Sequence, residues 1–135
     1  MGKFGSLLAC TKDWNILATV LVVMWISGIC ASIMNNVSYT AAIVSVVAAF
    51  LVTTPAFAAP AARELMWWGL ALAVCLGGNG TLVGAAANLV TVGIAEKSGL
   101  QVSFKDFLRY GLPVTTLSMI AASIYIIIRY YVCCA

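Results

Sequence analysis

The sequence predicts an all-α integral membrane protein made of a re-entrant helical hairpin, a discontinuous transmembrane helix, an interfacial helix and a final transmembrane helix. Three observations carry this. Apolar residues form 64% of the 135-residue chain and charged residues 8%, against about 45–50% and about 25% in soluble domains. No Asp, Glu, Lys or Arg falls in the 49 residues from Trp14 to Ala62, the 31 from Leu65 to Ala95, or the 19 from Tyr110 to Ile128. Stretches of about 20 such residues cross a bilayer core. Within them lie two polar, helix-poor interruptions, Asn35 to Thr40 and Gly77 to Thr81.

In chain order, residues 1–13 read as a leader. The apolar run that follows continues too far for a signal peptide, and Gly2 with Ser6 fits the myristoylation pattern. Residues 14–54 read as a helical hairpin, with one helix from Trp14 to about Met34 and another from Thr40 to about Thr54, roughly 31 Å and 22 Å long. The second is short for a crossing, which favours a hairpin that dips in and returns. Small residues at helical spacing, Ser27, Gly28, Ala31 and Ser32 on one arm and Ala41, Ser45, Ala48 and Ala49 on the other, predict that the arms pack closely.

Pro55 and Pro60 then break the chain, Arg63 and Glu64 mark an interface, and Trp67 and Trp68 fit an aromatic belt. Residues 64–95 read as a broken helix. Its first piece ends at Leu76, because Gly77-Gly78-Asn79-Gly80 is a poor helix interior, and it resumes from about Leu82 to Ala95. Residues 102–110 form an interfacial helix whose Ser103 and Asp106 make an S-x-x-D start signal. Residues 112–131 form the last transmembrane helix, with Pro113 in its first turn and Arg129, Tyr130 and Tyr131 as anchors. Cys133 and Cys134 beyond it are candidates for palmitoylation. Lys97, Lys105 and Arg109 fall on one side of the membrane and Lys3, Lys12, Arg63 and Arg129 on the other, too even a split to orient the chain.

Composition also excludes function classes. The net charge of +3 is scattered without a Lys/Arg run, so nucleic acid is not a partner. The five cysteines have no CxxC spacing and there is no histidine, which leaves neither a zinc site nor a disulfide framework. A general acid–base pair has no members within the spans, so an enzyme is the weakest class, and no cofactor is expected.

Unwound backbone at membrane depth is tolerated only where it is buried in protein or lines a polar cavity. Asn35, Asn36 and Thr40 at the first interruption, and Gly78, Asn79, Gly80 and Thr81 at the second, place amide and hydroxyl oxygens beside carbonyls, a set that suits Na⁺. The half-helix starting near Leu82 offers free N–H groups that suit an anion. Gly80, Gly84 and Asn88 fall at i, i+4 and i+8, so Asn88 is expected to face the break. The same residues carry plainer readings: Gly80 and Gly84 form a GxxxG packing pattern, and Asn35-Asn36 fits an ordinary turn outside the membrane.

The run Cys75-Leu-Gly-Gly-Asn-Gly-Thr-Leu-Val-Gly-Ala-Ala-Ala-Asn-Leu-Val90, with Gly93 to Gly99 and Ser103-Phe-x-x-Phe-x-x-x-Gly-x-Pro113 after it, resembles the C-terminal end of P-protein-like permeases. These belong to the arsenite pump, sodium–proton antiporter and citrate transporter group, the ion transporter superfamily. Ala31 to Thr40 resembles that family's hairpin-tip segment, with Asn35 where the family usually has Asp and Ser38 where it has Pro. The resemblance implies about one repeat of an inverted-repeat secondary transporter for a small anion or for ion exchange. Asn35, Asn36, Thr40, Gly78, Asn79, Gly80, Thr81, Gly84 and Asn88 would then be its substrate or ion contacts, with Na⁺ or H⁺ as coupling ion. Besides the lipid bilayer, the expected partner is a second copy or a chain carrying the missing repeat. The alternative is a non-transporting fragment or assembly partner.

Overall fold

A computed structural model of the chain describes the backbone of residues 2–133 and the side chains of residues 16–132. The lipidation patterns at Gly2 with Ser6 and at Cys133 and Cys134 concern side chains outside the described residues. Five α-helices follow one another: α1 (Gly2–Ile33), α2 (Asn36–Thr53), α3 (Pro60–Gly77), α4 (Ala86–Lys97) and α5 (Phe104–Cys133), with a 3₁₀ turn at Pro55–Phe57 between α2 and α3. No strand occurs among the described residues.

The core is a three-helix layer with α3 in the middle. Val20, Met24, Ser27 and Ala31 line one face of α1, and Met119, Ala122, Ile126 and Tyr130 line one face of α5; all are buried, and each set recurs at the 3–4-residue spacing of a helix stripe. α3 buries two adjoining stripes, Leu65, Gly69 and Ala73 beside Met66, Leu70, Val74 and Gly77, which is why it can pack on α1 and α5 at once. The outward faces carry Val22, Ile26, Ile29, Val46, Val52, Leu117, Ile124 and Ile128, all exposed. Such a surface would be a liability in water and is what lipid requires. Ile16–Ile33, Asn36–Thr53 and Phe104–Val132 are long and apolar enough to cross a membrane.

Where α3 crosses α1, glycine packs on glycine. A Cβ built on Gly77 of α3 would lie 2.8 Å from Cα and 2.9 Å from the carbonyl carbon of Gly28 on α1, so at this crossing backbone packs on backbone. The small face of α1 is therefore taken by α3. The sequence expectation that it packs on α2 is corrected: Ala41, Ser45 and Ala49 are exposed, and an apolar cleft of about 240 Å³ opens between α1 and α2, lined by Val23, Ile43, Val47 and Phe50 among others. What ties the two arms is the buried Tyr39 hydroxyl, which donates to Ser27 Oγ at 3.1 Å.

Several boundaries also move. Helix begins at Gly2, so the leader continues α1. Pro60 starts α3 rather than breaking the chain, since proline at a first helical position forfeits no hydrogen bond. The segments read as separate interfacial and spanning helices are one, α5, with Pro113 inside it; proline costs one i→i−4 bond there, and the helix continues. Its start is the expected capping box, Ser103 Oγ donating to Asp106 Oδ2 at 2.8 Å and accepting from Asp106 N at 3.3 Å.

At the other end of the bundle Glu64 Oε1 accepts from Arg129 at 2.7 Å and from Trp68 Nε1 at 3.2 Å. The guanidinium sits 5.0 Å from the Trp68 ring centroid. This latch places Arg129 of α5 beside the start of α3, as the grouping of Arg63 with Arg129 on one side requires.

Gly77→Ala is expected to destabilise the bundle by about 2 kcal/mol, the usual range for overpacking, whereas Gly93→Ala, with nothing within 4 Å of a new Cβ, should not. Thermal unfolding in maltoside micelles checks this; equal melting temperatures for the two variants would refute the glycine contact.

Candidate functional site

Hairpin tip and helix break meet at one junction. Only Met34 and Asn35 separate α1 from α2, a shorter interruption than the six residues expected, because Asn35 caps α2 directly. Its backbone is extended (φ −55°, ψ 130°) and its Oδ1 accepts from Val37 N at 3.0 Å. Asn and Asp cap a helix equally well, so the departure from the family's usual Asp leaves this helix start intact. Thr40, one turn into α2, donates to Asn36 O at 2.7 Å. The side-chain hydrogen bonds of Asn35 and Thr40 are thus local to α2, and the structure does not bring them into the junction.

Asn36, Gly78, Gly80, Thr81, Gly84 and Asn88 do meet. Asn36 N donates to Gly84 O at 2.9 Å, a backbone bond from the hairpin tip to the break. The Thr81 hydroxyl donates to Ser32 O, and Ser32 Oγ donates to Gly77 O at 2.6 Å and Gly28 O at 2.9 Å. Asn88 reaches back from α4, its Nδ2 lying 3.0 Å from both Gly78 O and Thr81 O. Ser32 was legible only as a packing residue. Nothing in its neighbourhood along the chain marks it as the residue that holds the break.

The break itself runs from Gly78 to Ala85, longer than read from sequence, because Leu82 to Gly84 are held in turns rather than helix: Gly80 N donates to Gly77 O at 2.9 Å, and Gly84 N to Thr81 O at 3.2 Å. A Cβ on Gly84 would come within 2.6 Å of Gly78 O, and one on Gly80 within 2.6 Å of Ser32 Oγ. Gly80 and Gly84 are therefore close-approach residues of a turn, not a GxxxG helix face. Asn88 faces the break by folding back onto it, not by helical phase.

Most backbone carbonyls of the break already carry a hydrogen bond. Gly77, Gly78, Thr81 and Gly84 all accept bonds from side chains or from Asn36 N. Among the described residues, those of Asn79 and Gly80 accept none, and they lie against α5, 2.9 and 3.0 Å from where a Cβ on Gly111 would be. On the other side, α4 begins at Ala86 without a side-chain cap, leaving first-turn amides and the positive end of a helix dipole. Asn79, exposed, and Asn88, half-buried, line a groove of about 700 Å³ toward α5 together with Gln101, Asp106, Phe107 and Tyr110.

These elements define an integral, multi-pass, all-α membrane protein whose polar centre is a hairpin tip joined to a broken helix. In sequence it is P-protein-like. Over 121 residues, 90% of the chain, it is 38% identical to the P protein of Sus scrofa. It is 37% identical over 118 residues, 87% of the chain, to an uncharacterized transporter of Mycobacterium tuberculosis, and 37% identical over 116 residues to the 46 kDa membrane protein of Mycobacterium leprae. The chain spans 14% of the length of the first, 27% of the second and 26% of the third. No family model and no solved structure matches it.

Asn88→Ala leaves Gly78 O without its donor and Thr81 O with Gly84 N alone, and is expected to cost about 2 kcal/mol, the scale of a buried acceptor left unsatisfied. Asn79→Ala, whose side chain makes no hydrogen bond among the described residues, should cost under about 0.5 kcal/mol. Hydrogen exchange of the amides of residues 78–85 reads the difference; equal protection in both variants would refute the role given to Asn88.

Proposed function

We propose that the chain is a secondary-transport module for a small anion, or for exchange of ions, whose ligand is held at the hairpin–break junction without any bond being made or broken. The observation that carries this is the Asn36 N to Gly84 O bond, which joins two interrupted helices at one place. Beside it lie the donors an anion needs: the side-chain amide of Asn36, whose backbone N–H is spent on Gly84 O, and the uncapped first turn of α4. Gly78, Gly80, Thr81 and Gly84 form the frame, Asn88 braces it through Gly78 O and Thr81 O, and Asn79 stands at its exposed edge. Na⁺ or H⁺ is the coupling ion in this reading. The name of the mycobacterial relative, an uncharacterized transporter, supports the general class.

The test is flux of phosphate, chloride and citrate into proteoliposomes, with the chain reconstituted alone and with any membrane protein that copurifies with it. Asn36→Ala keeps the backbone bond and is expected to lower flux at least tenfold. Unchanged flux in an Asn36→Ala, Asn79→Ala double variant would sink the site.

A second reading, that the chain acts as an assembly partner, is favoured by α2, whose Ala41, Ser45 and Ala49 form an exposed face of small residues. Native mass spectrometry in nanodiscs is expected to show a dimer or a heteromer that Ser45→Trp dissociates. A strictly monomeric chain would remove both this partner role and a two-sided site.

A further inference from the structure

We infer that the groove between the helix break and the start of α5 binds a compact organic ammonium group, with Asp106 as counter-charge and Phe107 and Tyr110 as walls. This goes beyond the anion reading of the junction and concerns its opposite side.

The groove carries a negative charge and no positive one, while its neutral polar side chains, Asn79, Gln101 and Tyr110, offer donors as well as acceptors. Asn88 spends its Nδ2 on Gly78 O and Thr81 O, 3.0 Å from each, so the polar atom it has left for a ligand is Oδ1, an acceptor. The carbonyls of Asn79 and Gly80, which accept no bond among the described residues, pack close to Gly111 of α5, and Asn79 and Gly111 both line the groove. Asp106 is the one formally charged residue of the lining. Its Oδ2 is oriented by Ser103 Oγ at 2.8 Å, and it forms no ion pair among the described residues. An anion here would meet the Asp106 carboxylate and Asn88 Oδ1, whereas a cation meets them as ligands.

The walls decide which cation. Phe107 and Tyr110 lie at i and i+3 on α5, with Val102 and Val114 beyond them. Aromatic faces attract a weakly hydrated ammonium and give an apolar stem a surface. A volume of about 700 Å³ is far larger than a bare metal ion needs and falls in the range of small-molecule sites. Two sources share this chemistry, a free amine or quaternary ammonium solute and the ammonium headgroup of a membrane lipid.

Choline is the probe, titrated by isothermal calorimetry into the full chain in neutral maltoside micelles, with acetate as the mirror-charge control. Asp106→Asn keeps an acceptor oxygen for the Ser103 cap and is expected to weaken choline binding at least tenfold. Tyr110→Ala, at an exposed position, should weaken it about threefold, and acetate should not bind. In nanodiscs, loss of choline binding in phosphatidylcholine but not in phosphatidylglycerol would assign the lipid headgroup, and retention in both a soluble ligand; either supports the proposal. It is overturned by absent choline binding, by equal affinity in wild type and Asp106→Asn, or by displacement of choline by equimolar Na⁺. None of these readings depends on flux, so the proposal and the transport reading fail separately.

Discussion

Backbone that leaves the helix at membrane depth has to find its hydrogen-bond partners inside the protein, and the whole junction depends on that. The break from Gly78 to Ala85 is held by Ser32, which both donates to Gly77 O and accepts from Thr81. It is held also by Asn88 folding back and by the Asn36 amide reaching across. Ser32 can do this only because α1 and α3 come together on bare backbone at Gly28 and Gly77. A side chain on Gly77 would push the helices apart and lengthen each of these bonds. Glycine contact and polar pinning are thus one device.

Pinning the carbonyls also gives the junction two unlike sides. Where Asn36 and the first turn of α4 meet, donors remain. Toward α5, Asn88 has used its donors and Asp106 adds a negative charge. A neutral set of Asn, Thr and Gly has no preference for either sign until the fold decides which end of each dipole is spent internally.

The periphery is built differently. α2 is tied to α1 by Tyr39 and Ser27 and otherwise shows much of its surface, and of α4 only Val92 is buried. Against these loosely held arms, α1, α3 and α5 form a dense layer clamped at one end by Glu64, Arg129 and Trp68. The relatives are several times longer than the stretch this chain matches. The bare faces of α2 and α4 are where further helices have room to pack.

By itself the sequence determined the class: uncharged stretches of bilayer length, the two interruptions, the Ser103–Asp106 start and the interfacial Arg129 were all legible, because hydropathy and capping are local. The existence of the break was legible too, since Gly77 to Gly80 cannot sustain a helix. Its length was not, because Leu82 and Val83 are good helix residues overruled by the bond from Asn36 to Gly84. Nor was the partner of the small face of α1, since Ala41 to Ala49 and Gly77 compete for it and only the crossing of two glycines allows backbone contact. The tertiary structure alone decided that Ser32 holds the break, that Asn35 and Thr40 serve their own helix, and that Asp106 stands beside Asn79 and Asn88. Each of these joins residues distant in the chain, or sets which lone pair is already used, and a one-dimensional pattern carries neither.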